Sequence, residues 1–159
     1  MEKKMRYQQV FEKSHAVLDG ENDSIAAMAT IASLLAQGFS HFYWVGFYRM
    51  LDGELVIGPY QGTLGCLRIG LNRGVCGAAA SEVKTMIVDN VHDFPGHIAC
   101  GPRSQSEIVV PVMDVAGNVV AVLDVDSTEE SSFDGVDRDG LEKIVGLLDS
   151  PTDVVLGST

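Results

Sequence analysis

The sequence predicts an α+β fold: a central antiparallel sheet with N-terminal and C-terminal helices packed on it. Three observations carry this. Helical periodicity occupies the first forty residues and the last stretch, 134–148, while the middle is rich in aromatic and β-branched residues. Two hairpin signals, "LDG" at 51–53 and "VAGN" at 115–118, join consecutive strands directly, which makes those strands antiparallel. Helices gathered apart from a run of strands describe an α+β domain.

Residues 2–19 read as a helix with Met5, Val10, Phe11, Val17 and Leu18 loosely on one side, ended by Gly20. A second helix follows over 22–38. Asn22, Asp23 or Ser24 caps it, Ile25, Met28, Ala32 and Leu35 form its apolar stripe, and Gly38 stops it. "HFYWVGFYRM" (41–50) and "GELVIGPYQ" (53–61) are strands, and "CLRIGL" (66–71) is a weaker one. "GVCGAAASE" (74–82) is a short helix whose small residues permit close packing, and 84–91 is another strand. The strands 106–114 and 118–126 are apolar on both faces, which places them in the middle of the sheet. A last helix runs over 134–148, with Pro151 marking its end.

The chain of 159 residues suits one domain, with 46% apolar and 21% charged residues, as in globular proteins. Its net charge of −11 and lack of any Lys/Arg-rich run argue against a nucleic-acid partner, since phosphate binding needs clustered cations. The start, "MEKKMRYQQVFEKSH", lacks the apolar region of a signal peptide, and no stretch is apolar enough to span a membrane. The expected compartment is the cytoplasm, where thiols stay reduced and a disulfide is more often catalytic than structural.

Three groups of residues carry potential chemistry. Cys66, Cys76 and Cys100 are spaced by ten and twenty-four residues, which fits no zinc knuckle, although His97 with the three cysteines leaves a metal site conceivable. Thiol chemistry suits them better than a metal, with a nucleophilic thiolate, an oxidised intermediate and a resolving partner, while the spacing alone fits three ordinary cysteines equally well. Cys100 lies in a loop punctuated by Pro95, Gly96, Gly101 and Pro102, where exposure favours reactivity. Cys76 opens a helix, whose dipole can lower a thiol pKa, but its neighbours look like packing and it reads as core. Asp124 and Asp126, two apart on an apolar strand, share a face, and Glu107 opens the strand paired with it. Buried carboxylates are costly unless paired or used, and crowding raises one another's pKa until one keeps a proton. Trp44 and Tyr48, at i and i+4 on a strand with Gly46 between them, form either a core pair or the walls of a small glycine-floored hollow able to take a methyl-sulfur group.

Taken together, "WVGFY", "GPYQG", "GVCGAAA", "VDNVHDFPGHIAC", "SEIVVPV" and "LDVDS" closely resemble the free methionine-(R)-sulfoxide reductases, single GAF-domain enzymes, over about residues 24–148. The resemblance implies one GAF domain over 1–159, with 149–159 as a C-terminal tail longer and more apolar than usual. It implies Cys100 as the catalytic cysteine, Cys66 as the principal resolving cysteine and Cys76 as a secondary one. Glu107, Asp124 and Asp126 match the family's active-site carboxylates, and Trp44 and Tyr48 its substrate-contacting aromatics. The implied substrate is free methionine (R)-sulfoxide and the implied reductant thioredoxin, in a homodimer without metal or organic cofactor. The rival expectation is a non-catalytic GAF domain that binds an amino acid and signals.

Overall fold

The computed structural model describes residues 1–97 and 101–148. Cys100, Pro151 and the expected tail 149–159 lie outside the described residues.

Helices α1 (Lys3–Val17) and α2 (Ser24–Gly38) open the chain. Gly20, at φ +78°, makes the turn between them, and the Asp23 side chain caps α2 by accepting from the Ala26 N–H at 2.9 Å. Strands β1 (Trp44–Leu51), β2 (Glu54–Gln61) and β3 (Arg68–Gly70) follow, then helix α3 (Gly74–Glu82) and strand β4 (Met86–Val88). Strands β5 (Ser106–Met113) and β6 (Val119–Ser127) and helix α4 (Gly135–Val145) complete the fold. The six strands form one sheet in the order β3-β2-β1-β6-β5-β4, antiparallel at every step.

Both hairpins form as their turn residues dictate. Asp52 and Gly53 adopt positive φ (52° and 80°), the paired left-handed geometry that suits the twist of flanking strands. In the second turn, Asp114 Oδ1 accepts from the Ala116 and Asn118 N–H groups, and Gly117 supplies φ +87°.

Because side chains alternate along a strand, the sheet has two distinct faces. Val45, Phe47, Ile108, Val110, Leu123 and Val125 point to one face and pack under α1, α2 and α4, where Ile31, Leu35, Leu141 and Ile144 are fully buried. Each such side chain contributes roughly 1.5–3 kcal/mol of transfer free energy. The opposite face carries Trp44, Tyr48, Val109 and Val122 and is roofed by α3. No helix among the described residues is long and apolar enough to cross a membrane.

The apolar stripes of the first two helices differ from expectation. On α1, Met5 and Val17 are exposed, while Tyr7, Val10 and Ser14 are buried. The helix is rolled so that the Tyr7 hydroxyl donates to Asp137 Oδ1 on α4 at 2.6 Å. Lys3 Nζ meets the other oxygen of Asp137 at 2.7 Å. A polar anchor, which apolar periodicity does not register, sets that orientation. On α2 the buried row is Met28, Ile31, Ala32 and Leu35, and Ile25 in the first turn is exposed.

Candidate active site

Strand register gathers the candidate residues on the face under α3. Across β1 and β6, Trp44 opposes Asp126, Gly46 opposes Asp124 and Tyr48 opposes Val122. Across β5 and β6, Glu107 opposes Asp126 and Val109 opposes Asp124. Residues directly opposed in an antiparallel pair project from the same side. Trp44, Tyr48, Glu107, Asp124 and Asp126 therefore share one face, away from the three-helix layer. Cys76 comes down from α3 into the same buried cluster. Cys66 lies in the loop before β3 rather than in the strand, half-buried against this cluster.

The aromatic residues form a stack of three. Trp44 lies 5.8 Å from Tyr48 and 5.0 Å from Tyr60, centroid to centroid, with interplanar angles of 21° and 18°. Gly46 does not floor an open hollow. A Cβ there would sit 2.2 Å from Tyr60 Cβ and 2.9 Å from Trp44 Cη2, so Tyr60 and the indole fill that space. A register shift between Gly46 and Tyr48 accompanies this approach. The loop that carries Cys66 is pinned to the stack: Trp44 Nε1 donates to the Thr63 carbonyl at 2.8 Å, and the Tyr43 and Thr63 hydroxyls pair at 3.0 Å.

Glu107 and Asp124 are buried and Asp126 is half-buried. Loss of solvent, and then the charges of Asp124 and Asp126, push the Glu107 carboxyl well above the usual range. Loss of solvent does the same to Asp126, reinforced by Asp124. Asp124 is also raised by burial, but hydrogen bonds from Glu107 and Cys76 work against that rise. The set thus holds protons on Glu107 and Asp126 more firmly than on Asp124. Asp124 Oδ1 is buried and has no hydrogen-bond partner.

The Cys76 thiol is raised well above its ordinary pKa by burial, and further by the charges of Asp124 and Glu107. The reading of Cys76 as core is borne out: α3 begins two residues earlier, but desolvation and carboxylate charge outweigh the pull of its end. One polar atom each from Cys76, Glu107 and Asp124 lie within 4.8 Å of one another, close enough to surround a cation. Burial raises the pKa of all three groups, which works against the deprotonated forms a metal ion needs. Of the cysteines among the described residues, Cys76 is a free thiol and Cys66 is disulfide-bonded, which removes Cys66 as a zinc thiolate.

Two small adjoining cavities, of about 50 and 30 Å³, open over this cluster, and Tyr48, Ser104, Asp124 and Asp126 line both. Arg73, at the start of α3, and His97 line the larger one. Partial burial and neighbouring His92, 5.7 Å away ring to ring, lower the His97 pKa, favouring neutral imidazole. Sequence reasoning did not assign Tyr60, Arg73 or Ser104 to the site. Tyr60 and Arg73 stand within or beside quoted motifs, but only the fold shows which way they face.

Comparison with known proteins agrees with this geometry. The GAF domain family model matches residues 21–149. GAF domain-containing protein A of Dictyostelium discoideum is 45% identical over 149 residues, 93% of each chain. The free methionine-R-sulfoxide reductase of Escherichia coli is 40% identical over 135 residues, 85% of this chain and 81% of that protein. The X-ray structure of free methionine-R-sulfoxide reductase from Neisseria meningitidis in complex with its substrate superimposes with a TM-score of 0.89 at 39% identity, covering 94% of this chain and 89% of that one. The chain belongs to the free methionine-R-sulfoxide reductase family of GAF-domain proteins.

Proposed function

We propose that this chain reduces free L-methionine (R)-sulfoxide to L-methionine by a thiol cycle. Cys100 is the nucleophile, Cys66 the resolving thiol and thioredoxin the reductant, with no metal or organic cofactor. The Cys100 thiolate attacks the sulfoxide sulfur while a protonated carboxyl of the Glu107, Asp124 and Asp126 set donates to the oxygen. The sulfoxide gains two electrons and leaves as methionine; Cys100 loses two and becomes a sulfenic acid. Cys66 condenses with it to a disulfide and releases water, and thioredoxin dithiol reduces that disulfide by exchange.

The observation that carries this reading is three carboxylates around small cavities beside the Trp44–Tyr48 stack, all with pKa values raised by burial and one with an unpartnered buried oxygen. A proton held in a buried carboxyl near neutral pH is what protonating a sulfoxide oxygen requires. The unpartnered oxygen suits the α-ammonium, which a residue inside a peptide lacks. The engagement of Cys66 in a disulfide while Cys76 is a free thiol supports Cys66 as the resolving residue. The resemblance also supports a homodimer working in a reducing cytoplasm, and one GAF domain with residues 149–159 as a tail.

Thioredoxin-coupled turnover on the separated R and S forms of free methionine sulfoxide, beside a peptide-bound form, tests the proposal. The free R form alone is turned over; Cys100→Ser abolishes turnover, and Cys66→Ser releases one equivalent of methionine and then stalls. Normal coupled activity in Cys100→Ser refutes the mechanism. Thiols that survive exposure to the sulfoxide in the native chain point instead to a sensing domain.

A further inference from the structure

We infer that Cys76 is a positioning residue: its thiol is a hydrogen-bond donor that fixes the Asp124 carboxylate for the reaction, and it takes no part in disulfide exchange. The inference rests on the reductase reading above and departs from the secondary resolving role that the resemblance implied.

The geometry is specific. Cys76 is buried at 4% exposure, and its sulfur groups with carboxylate oxygens of Glu107 and Asp124 inside 4.8 Å. Glu107 from β5 and Cys76 from α3 both approach Asp124 within 4.8 Å, and each lowers its pKa against the rise that burial causes. With those groups in place, Oδ1 of Asp124 is still buried and unpartnered in a residue that lines the cavity. A carboxylate fixed by protein donors, with one oxygen left over, is prepared for a ligand. The thiol itself is poorly placed for exchange. It lies beneath α3 among Val75, Ala79 and Ala80, all buried. That helix is clamped at Gly77, where a Cβ would come within 2.8 Å of the Gly70 and Leu71 carbonyl oxygens. Exchange requires a thiolate, and both burial and the adjacent carboxylates hold the proton on sulfur.

Glu107, Asp126, Tyr48 and Cys76 are the titratable groups around Asp124, and cationic Arg73 and the His97 imidazole complete the polar lining. Removing a donor raises the pKa of the carboxylate it served, so the acidic limb of a rate that needs ionised Asp124 moves to higher pH.

The test compares Cys76→Ala with Cys76→Ser in single-turnover methionine release and in thioredoxin-coupled turnover, each as a pH profile. Cys76→Ala moves the acidic limb of single-turnover release upward by about one unit, a loss approaching tenfold on that limb. Cys76→Ser, which keeps a donor, recovers most of it, and both variants still lose two thiols per turnover. The inference is overturned if both variants keep the first release but lose recycling, which marks a resolving thiol. It is equally overturned if both profiles superimpose on the wild type, which marks a packing residue. A readout independent of activity is the infrared S–H stretch of Cys76 in a Cys66→Ser/Cys100→Ser background. Asp124→Asn shifts it if the thiol donates there; an unmoved band overturns the inference. Loss of all methionine release by the wild-type chain would refute the reductase reading while leaving the infrared result to decide the thiol–carboxylate contact.

Discussion

Gly46 lies in a central strand, where glycine is ordinarily a weak choice, and replacing it with alanine should gain about 0.5–1 kcal/mol of backbone entropy. The structure reverses that expectation. The added Cβ would stand 2.2 Å from Tyr60 Cβ and 2.8 Å from Tyr60 Cα, whereas ordinary contact begins at 3.4 Å. The strands must separate by about 1.2 Å (3.4 less 2.2) at that point, and no side-chain rotation relieves a clash with backbone. Overpacking costs about 1–3 kcal/mol, and a backbone clash belongs at the upper end, so the net destabilisation is about 2 kcal/mol. For a domain of this size that lowers the melting temperature by about 4–8 °C. Thermal unfolding of Gly46→Ala beside Gly146→Ala measures it. Gly146 has nothing within 4 Å of a new Cβ and a helical φ of −59°, so its variant should melt no lower than wild type. Because Trp44 and Tyr48 flank Gly46 and wall the proposed substrate site, the variant should also show a raised KM. A Gly46→Ala protein that melts within a degree of wild type refutes the steric reasoning.

Asp126→Asn should cut turnover by at least tenfold, whereas Glu129→Gln, at an exposed position, should leave it unchanged; equal effects would remove Asp126 from the chemistry. Glu107 carries a folded-state pKa above its unfolded value, so its contribution to stability is complete below about pH 4.3 and is lost as pH rises through the raised value. The urea midpoint of Glu107→Gln should therefore fall less between about pH 5 and 8 than that of the wild type, and parallel slopes would contradict the assignment. Tyr7→Phe takes from fully buried Asp137 the hydroxyl that serves Oδ1, costing about 1–3 kcal/mol in equilibrium unfolding. An unchanged midpoint would mean that the Lys3 contact suffices.

Much of the fold is legible because it is local. Helix periods, the Asp52-Gly53 turn and the Asp114–Asn118 turn are written in contiguous residues, and so is the shared face of Asp124 and Asp126. Doubly apolar strands likewise marked the middle of the sheet correctly for β6. What sequence pattern cannot supply is the company a residue keeps across elements. Tyr60 in the aromatic stack, Cys76 beside Asp124, and Tyr7 turned toward Asp137 each depend on a crossing strand or helix. The residues around Gly46 fit either a packed aromatic pair or a glycine-floored hollow in the sequence, because the occupant that decides between them, Tyr60, arrives from the next strand.

The sheet order has a consequence for synthesis. Its two innermost strands, β1 (Trp44–Leu51) and β6 (Val119–Ser127), are far apart in the sequence, and the bond between Tyr7 and Asp137 spans 130 residues. A nascent chain emerging from the ribosome can form the β1–β2 hairpin early but must wait for β6 before the middle of the sheet closes. Until α4 has been made, α1 has nothing to dock against through Asp137. Assembly of the carboxylate cluster must consequently wait for β6, whatever has already folded before it.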